Sequence, residues 1–147
     1  IFIENAIQGM DISITGDGAD RLDFTYIDDL AQGIIRVLEN ENSINETFNL
    51  TYGESRSLSN MVNILQEHFP EARINYLPKD KLTPARGTLS VEKARKRIGY
   101  EPAWPLEKGF VKYIEWYKKL FNGKHRRTSM QPYINIYSKS HKIASGM

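Results

Sequence analysis

The chain has 147 residues, of which 40% are hydrophobic and 26% charged, and its formal net charge is +2 at pH 7. These values are typical of a soluble globular protein of one domain's length. The absence of cysteine excludes disulfide and thiol chemistry, and no apolar run is long enough to span a bilayer. With no signal-peptide pattern either, we expect a cytoplasmic protein that does not enter a membrane.

The positive charge is concentrated at one end of the chain. No acidic residue follows residue 121, whereas five basic residues do, namely Lys124, Arg126, Arg127, Lys139 and Lys142. Residues 1–121 therefore carry a net charge of −3. We expect a mildly acidic body over 1–121 and a mobile basic tail over 122–147.

The first quarter of the chain alternates between helical and extended patterns. Apolar spacing predicts a helix over 2–10 that ends near Gly9, and the alternation at 12–14 predicts a strand. The glycines of the Gly16-Asp17-Gly18 stretch supply the positive φ of a tight turn. A second helix is predicted by apolar residues at helical spacing, with Asp28 or Asp29 as its N-cap: Leu30, Ile34, Val37 and Leu38.

The rest of the chain contains five further predicted elements. Ser57 and Ser90 are suitable N-caps, Pro70 ends a helix, and Gly99 is suited to a helix C-terminus. In chain order these elements are a strand at 47–51, a helix at 58–69, a strand at 74–77, a helix at 91–98, and a last helix with apolar residues at Phe110, Ile114, Tyr117 and Phe121.

Six groups of residues resemble, in the same order, motifs of the NAD-dependent epimerase/dehydratase family, the extended short-chain dehydrogenases that act on nucleotide sugars. Each motif alone is weak, but their order over 1–121 makes the resemblance specific. They are Gly16-Asp17-Gly18 with Leu22-Asp23-Phe24; Tyr26-Ile27-Asp28-Asp29-Leu30-Ala31; Phe48-Asn49-Leu50; Ser57-Leu58; Arg86-Gly87-Thr88-Leu89 leading to Lys93-Ala94, Ile98-Gly99-Tyr100 and Pro102; and Leu106-Glu107-Lys108-Gly109 with Trp116-Tyr117.

The resemblance implies an α/β fold that is the C-terminal, substrate-side part of an extended short-chain dehydrogenase without its N-terminal Rossmann core. The helix near Asp29 and the strand at 47–51 would belong beside that core, and the glycine turn and the Arg86 region to the smaller substrate domain. A strand left without its neighbours has an open edge, so we expect self-association, for example as a homodimer. The chain would then be a truncated piece, one part of a split enzyme, or a gene remnant.

The intact enzyme of this family uses NAD or NADP, with a Tyr-x-x-x-Lys pair assisting hydride transfer. None of the eight tyrosines here is followed four residues later by lysine. The close glycine pair at 16–18 is not followed by a helical pattern, so it lacks the dinucleotide fingerprint. We expect no catalytic residue, no cofactor binding and no turnover from this chain alone.

Two arginines are the candidate substrate-binding residues. By resemblance, Arg86 reaches the diphosphate of a nucleotide sugar; by composition alone it is a solvated surface arginine in a loop. Many relatives have Arg-Asp-Phe or Arg-Asp-Tyr where this chain has Leu22-Asp23-Phe24, and their arginine also contacts phosphate. Here Arg21 stands one residue earlier, which in an extended segment turns its side chain to the opposite side.

A second hypothesis comes from a different class of protein. The half-fold with its basic tail could serve as a non-catalytic interaction or nucleic-acid-binding protein, although no nucleic-acid-binding fold surrounds the tail. The histidines, His68, His125 and His141, are too far apart in sequence to form a metal-ligand motif. Asp23 and Tyr26 are expected to support the turn, and Asn49 to bond to backbone at the end of a strand.

Overall fold

The computed structural model describes residues 1–79 and 86–124. The predicted basic tail lies, from residue 125 onward, outside the described residues. In chain order the helices and strands are α1 (Phe2–Gln8), β1 (Ile12–Thr15), β2 (Arg21–Leu22), α2 (Ile27–Leu38), β3 (Arg56–Ser57), α3 (Leu58–His68), β4 (Ile74–Leu77), α4 (Glu92–Ile98) and α5 (Leu106–Lys124), with a 3₁₀ turn at Glu41–Ser43 between α2 and β3.

The strands form two small two-stranded sheets. β1 pairs in parallel with β4, from Ile12 opposite Ile74 to Thr15 opposite Leu77. β2 pairs antiparallel with β3, which places Arg21 opposite Ser57. The predicted strands at 12–14 and 74–77 are confirmed. The strand predicted at 47–51 is wrong, because an extended segment becomes a strand only beside a neighbour and the described part of the chain supplies none.

Two separate clusters of buried side chains hold these elements together. In the first, Ile3, Ile12, Leu65 and Ile114 bring α1, β1, α3 and α5 into contact. In the second, the buried members are Val91, Ala94, Ile98 and Tyr100, and the half-buried Val37, Phe48 and Leu50 pack against them. The second cluster therefore joins α2 and the extended segment 47–51 to α4.

Several of the predicted helix ends are confirmed. Ser57 caps α3, since its Oγ accepts a hydrogen bond from the Asn60 amide at 3.1 Å. Gly9 and Gly99 take the left-handed φ values of 66° and 63° that end α1 and α4. The N-cap of α4 is Val91 and not the predicted Ser90, so the helix begins one residue later than expected. The Ser90 hydroxyl nevertheless accepts a hydrogen bond from the Glu92 backbone N–H at 3.4 Å.

The predicted capping role of Asp28 and Asp29 is also wrong. The N-cap of α2 is Tyr26, so both carboxylates lie inside the first helical turn. Negative charges there still stabilise the helix, because they interact with the positive end of its dipole. Asp29 is buried and accepts hydrogen bonds from the backbone N–H groups of Ala103, at 2.8 Å, and Trp104, at 3.0 Å. Asp28 pairs with Lys112 at 3.0 Å. Both residues therefore fasten α2 to the region of α5.

Tyr100 lies at the centre of the second cluster and is fully buried. Its hydroxyl donates a hydrogen bond to the Thr51 carbonyl at 3.1 Å. Burial, with smaller contributions from the charges of Asp29 and Asp23, raises the pKa of Tyr100 from 10.0 to about 12. The phenolate is thus disfavoured in the folded protein relative to the unfolded one.

This shift makes the folded state sensitive to alkaline pH. Because the folded pKa lies above the unfolded one, the contribution of Tyr100 to stability is fully present below about pH 10 and falls as pH rises towards about 12. We expect urea unfolding curves to show this loss in the native chain and a smaller loss in Tyr100→Phe. Tyr76→Phe, which removes the hydroxyl of a tyrosine that is 54% exposed on β4, is the control and should show the same loss as the native chain.

No helix within 1–79 and 86–124 combines the length and the apolar character that a membrane crossing requires.

Candidate functional site

The turn between β1 and β2 is fixed against the start of α3. Gly16 and Gly18 have φ values of 87° and 81°. Both the backbone N–H and the hydroxyl of Ser59 donate to the Gly18 carbonyl at 3.0 Å, and a Cβ at residue 18 would lie 2.4 Å from the Ser59 hydroxyl. The glycine pair is followed by β2 rather than by a helix, so its amides are not arranged as a phosphate-binding helix N-terminus.

Arg21 reaches from β2 to the segment that precedes β3. Its Nε donates to the Ser55 hydroxyl at 3.0 Å, and its Nη2 donates to the Ser55 carbonyl at 2.5 Å. Ser55 is buried, whereas Arg21 is exposed at the surface. The planar guanidinium therefore holds the 55–56 region in place with two of its three nitrogens and leaves Nη1 outside these two bonds.

The same serine connects to the loop that carries Arg86. The Ser55 backbone N–H donates to the Thr88 hydroxyl at 3.0 Å. Arg86 is exposed and precedes Thr88 by two residues, a distance of roughly 7 Å along an extended chain. Both arginines proposed from the sequence thus stand on segments that are joined through Ser55. We call this connection of Arg21, Ser55 and Thr88 the junction.

Asp23 strengthens this junction from the other side. One carboxylate oxygen accepts from the Thr51 hydroxyl at 2.9 Å and from the Leu89 amide at 3.2 Å, and the other accepts from the Gly53 amide at 3.1 Å. Asp23 therefore ties together three segments that are far apart in sequence. This agrees with its expected supporting role and extends it from the turn to the Arg86 loop.

The sequence did not indicate Ser55 or Thr88 as site residues. Each makes its contact across more than 30 positions of the chain. Thr88 lies in a motif of the family resemblance, but nothing in that motif marks its hydroxyl as a partner of Ser55. Asn49 behaves as expected, since its side-chain amide donates to the Ser90 carbonyl at 3.0 Å. Only the folded arrangement identifies the serine and the threonine.

A third arginine, Arg56, lies beside the junction but its charge is already compensated. Its Nε is 2.7 Å from Glu107, and its Nη1 is 3.3 Å from Glu54. The hydrogen bond to Glu107 raises the pKa of Arg56, and the same bond lowers the pKa of Glu107. Arg21 and Arg86 are therefore better placed than Arg56 to meet an added anion.

A cavity of about 410 Å³ opens next to this junction. Its volume lies in the range of small-molecule sites. Its wall carries both acidic and aromatic groups and one paired arginine; the lining residues are Tyr52, Gly53, Glu54, Thr88, Leu89, Ser90, Val91, Glu92, Arg95 and Pro102. Arg95 forms an ion pair with Glu92. The cavity is thus suited to an uncharged, hydroxyl-bearing group more than to a phosphate.

Metal binding finds no support in the portions of the chain that are described, where no three histidine or acidic side chains form a metal-binding group.

Comparison with known proteins connects this arrangement to a family. The sequence model of the family described as "NAD dependent epimerase/dehydratase family" matches residues 1–51 of this chain. An uncharacterized UDP-glucose epimerase of Bacillus subtilis is 30% identical over 122 residues, which is 82% of this chain and 39% of that protein. A UDP-glucuronate 4-epimerase of Thermodesulfobacterium geofontis is 32% identical over 120 residues, which is 80% of this chain and 36% of that protein.

Solved structures give the same result for the fold. An epimerase of Methanothermobacter thermautotrophicus superposes with a TM-score of 0.78 at 25% identity, over 86% of this chain and 38% of its own. The UDP-glucuronic acid 4-epimerase of Bacillus cereus, in complex with UDP-glucuronic acid and NAD, gives a TM-score of 0.73 at 27% identity, over 81% and 38%. The predicted family resemblance and α/β fold class are confirmed, and the chain spans under two fifths of these relatives.

Proposed function

We propose, since this chain belongs to the NAD-dependent epimerase/dehydratase family, that residues 1–121 form the nucleotide-sugar-binding part of such an enzyme. The chain alone would bind substrate without converting it. Residues 122–147 would lie outside the binding part as a basic tail. The reaction of the complete enzyme would oxidise a sugar carbon to a ketone and then rearrange it or eliminate water.

The junction at Ser55 is the observation that carries this proposal. It holds a segment bearing Arg21 and a segment bearing Arg86 at one place on the surface, beside a cavity of about 410 Å³. A nucleotide sugar has a diphosphate with uncharged, hydroxyl-bearing groups attached to it. Two arginines next to a polar cavity match those two kinds of group.

The two arginines would have different roles. Arg86 is exposed and would bind the diphosphate directly, with the planar fork that suits phosphate oxygens. Arg21 uses Nε and Nη2 to hold Ser55, so it would offer the diphosphate its Nη1 edge and would also position the loop. The cavity would take the uncharged part of the ligand, with Tyr52 on its wall.

We infer that the described residues, 1–79 and 86–124, do not hold the nicotinamide cofactor. The close glycine pair is fastened to Ser59 and leads into β2, so it offers no helix N-terminus to a pyrophosphate. The Bacillus cereus relative is in complex with NAD as well as UDP-glucuronic acid. We therefore assign NAD or NADP binding to the part of the relatives' length that this chain does not match.

Calorimetric titration with UDP-glucuronic acid and UDP-glucose tests the proposal. We expect saturable binding of one of them by the native chain, and a loss of roughly 10- to 100-fold in affinity for Arg86→Ala, since a charge-assisted hydrogen bond contributes about 1.5–3 kcal/mol. Arg73→Ala is the matched control, because Arg73 is an exposed arginine whose partner is Asp11. Its affinity should equal that of the native chain.

Two outcomes would contradict the proposal. The first is equal affinity in the native chain and Arg86→Ala, which would remove Arg86 from the site. The second is no binding of either nucleotide sugar together with steeply salt-dependent binding of DNA or RNA, which would favour a nucleic-acid-binding protein instead.

A further inference from the structure

Three of the residues that line the cavity beside the junction are charged. They are Glu54, Glu92 and Arg95, and their side chains are 66%, 55% and 46% exposed. As far as the described residues form it, the wall therefore contains two carboxylates and one guanidinium. Because an ionised carboxylate only accepts hydrogen bonds and a guanidinium only donates them, the balance of these three groups decides which ligands the cavity favours.

The single guanidinium of this described wall is already paired. Arg95 Nη1 donates a hydrogen bond to Glu92 Oε1, three positions earlier on α4. The other carboxylate oxygen of Glu92 lies 4.0 Å from Lys96 Nζ, and Lys96 is not one of the lining residues. An anionic group of a ligand would have to separate the Glu92–Arg95 pair before it could bind Arg95, so Arg95 offers little attraction to an anion.

Glu54 adds a second carboxylate, whose partner lies outside the lining residues. Its Oε2 is 3.3 Å from Arg56 Nη1, while Arg56 Nε is 2.7 Å from Glu107. One arginine therefore compensates two carboxylates, and part of the negative charge of Glu54 remains. Water screens this charge because the side chain is largely exposed, so we expect a weaker effect from Glu54 than from Glu92, which also occupies Arg95.

The groups of this wall match an uncharged sugar. Sugar hydroxyls donate to carboxylates, and the hydroxyl-bearing lining residues, Tyr52, Thr88 and Ser90, can both donate and accept. A carboxylate on the sugar has no proton to donate at neutral pH. It would face two carboxylates and a guanidinium that is already paired, and such an arrangement rejects a ligand because it leaves the ligand's charge without a partner.

We propose, on the basis of the nucleotide-sugar-binding function above, that the cavity holds the sugar and selects an uncharged sugar over one with a carboxylate. Glu92 is the residue that decides this selection, because it occupies Arg95 and repels a second carboxylate. Glu54 adds to the repulsion. Relatives named for UDP-glucose and for UDP-glucuronate are both similar to this chain, so the family itself does not determine the sugar.

Calorimetric titration with UDP, UDP-glucose and UDP-glucuronic acid tests the selection. The two sugars differ in one group, which is a hydroxymethyl in the first and a carboxylate in the second, while all three ligands share the diphosphate that Arg86 would bind. We expect the native chain to bind UDP-glucose roughly tenfold more tightly than UDP-glucuronic acid. UDP-glucuronic acid should bind no more tightly than UDP.

Glu92→Gln identifies the residue responsible. This variant removes one carboxylate and frees Arg95, so the affinity for UDP-glucuronic acid should rise roughly fivefold or more. The affinity for UDP-glucose should stay within about twofold, since glutamine keeps an acceptor oxygen. Glu67→Gln is the matched control, because Glu67 is exposed on α3, does not line the cavity, and its variant changes the net charge by the same amount. It should leave the ratio of the two affinities unchanged.

The outcomes separate this selection from the function on which it rests. Equal affinity for the two sugars, together with weaker binding of both by Arg86→Ala, would overturn the selection and leave the nucleotide-sugar-binding function standing. A preference for UDP-glucose that Glu92→Gln does not change would overturn the role of Glu92. No binding of any of the three ligands would overturn both the selection and the proposed function.

Discussion

Replacing Asp29 by asparagine is expected to lower the free energy of unfolding by about 3 kcal/mol, because a buried charged acceptor with two donors is lost. Asp29 accepts from the Ala103 and Trp104 amides at 2.8 and 3.0 Å and is 4% exposed. Asparagine has one acceptor oxygen, so its NH₂ group would face one of these N–H donors and leave it unsatisfied. Urea denaturation measures the loss.

Asp28→Asn provides the control for this change on the same turn of α2. Asp28 pairs with Lys112 at the surface, where an ion pair contributes about 0–1 kcal/mol, so its variant should stay within about 0.5 kcal/mol of the native chain. Equal losses for the two variants would show that Asp29 contributes as a helix-terminal charge and not through its bonds to the segment before α5.

Gly33→Val is expected to cost roughly 3 kcal/mol, the upper end for overpacking a buried position. Replacing a glycine inside a helix by a residue of better helix propensity normally stabilises the helix. Here a Cβ would lie 2.9 Å from the Tyr100 ring and 3.0 Å from Leu50. Tyr100 in turn bonds Thr51, whose hydroxyl bonds Asp23, so displacement of the ring would also disturb the candidate site.

The control for Gly33 is Gly87→Ala, where nothing lies within 4 Å of the added Cβ and φ is not positive. We expect its free energy of unfolding to change by less than about 0.5 kcal/mol. Helix propensity alone predicts that Gly33→Ala is more stable than the native chain. If that variant were more stable, α2 would not pack on Tyr100 as described.

Local patterns were sufficient for the elements that have a single buried side. The apolar spacing of α1, α3 and α5 and the alternation of β1 arise from contacts within one core, and they predicted those elements correctly. The capping of α3 by Ser57 was equally predictable, because its partner Asn60 lies three residues away.

Local patterns did not predict how α2 is oriented, nor that segment 47–51 is not a strand. The helix was predicted correctly, but its apolar residues do not show which side faces this chain, since Asp29 and Gly33 are buried there and Leu38 is exposed. Asp29 was expected to be a helix cap because its position before the apolar residues suggests one. Its actual partners are 74 and 75 residues away, where no local pattern reveals them. Segment 47–51 has the alternation of a strand, but a strand requires a neighbour that no local pattern can supply.

The candidate site was accessible from the sequence only in part. The family resemblance directed attention to Arg21 and Arg86, and both stay predictions as ligand-binding residues. The junction that relates them depends on Ser55, Thr88 and Asp23, whose contacts join residues 28 to 66 positions apart. Such contacts depend on how the loops approach one another after folding.

Mapping of backbone amide chemical shifts during titration with UDP-glucuronic acid, UDP-glucose and NAD is the most direct test of the central claim. We predict saturable shift changes for a nucleotide sugar that are confined to residues near the junction, at 21, 52–56 and 86–92, and none for NAD. Shift changes with NAD alone, or none with either nucleotide sugar, would contradict the assignment of this chain as the nucleotide-sugar-binding part.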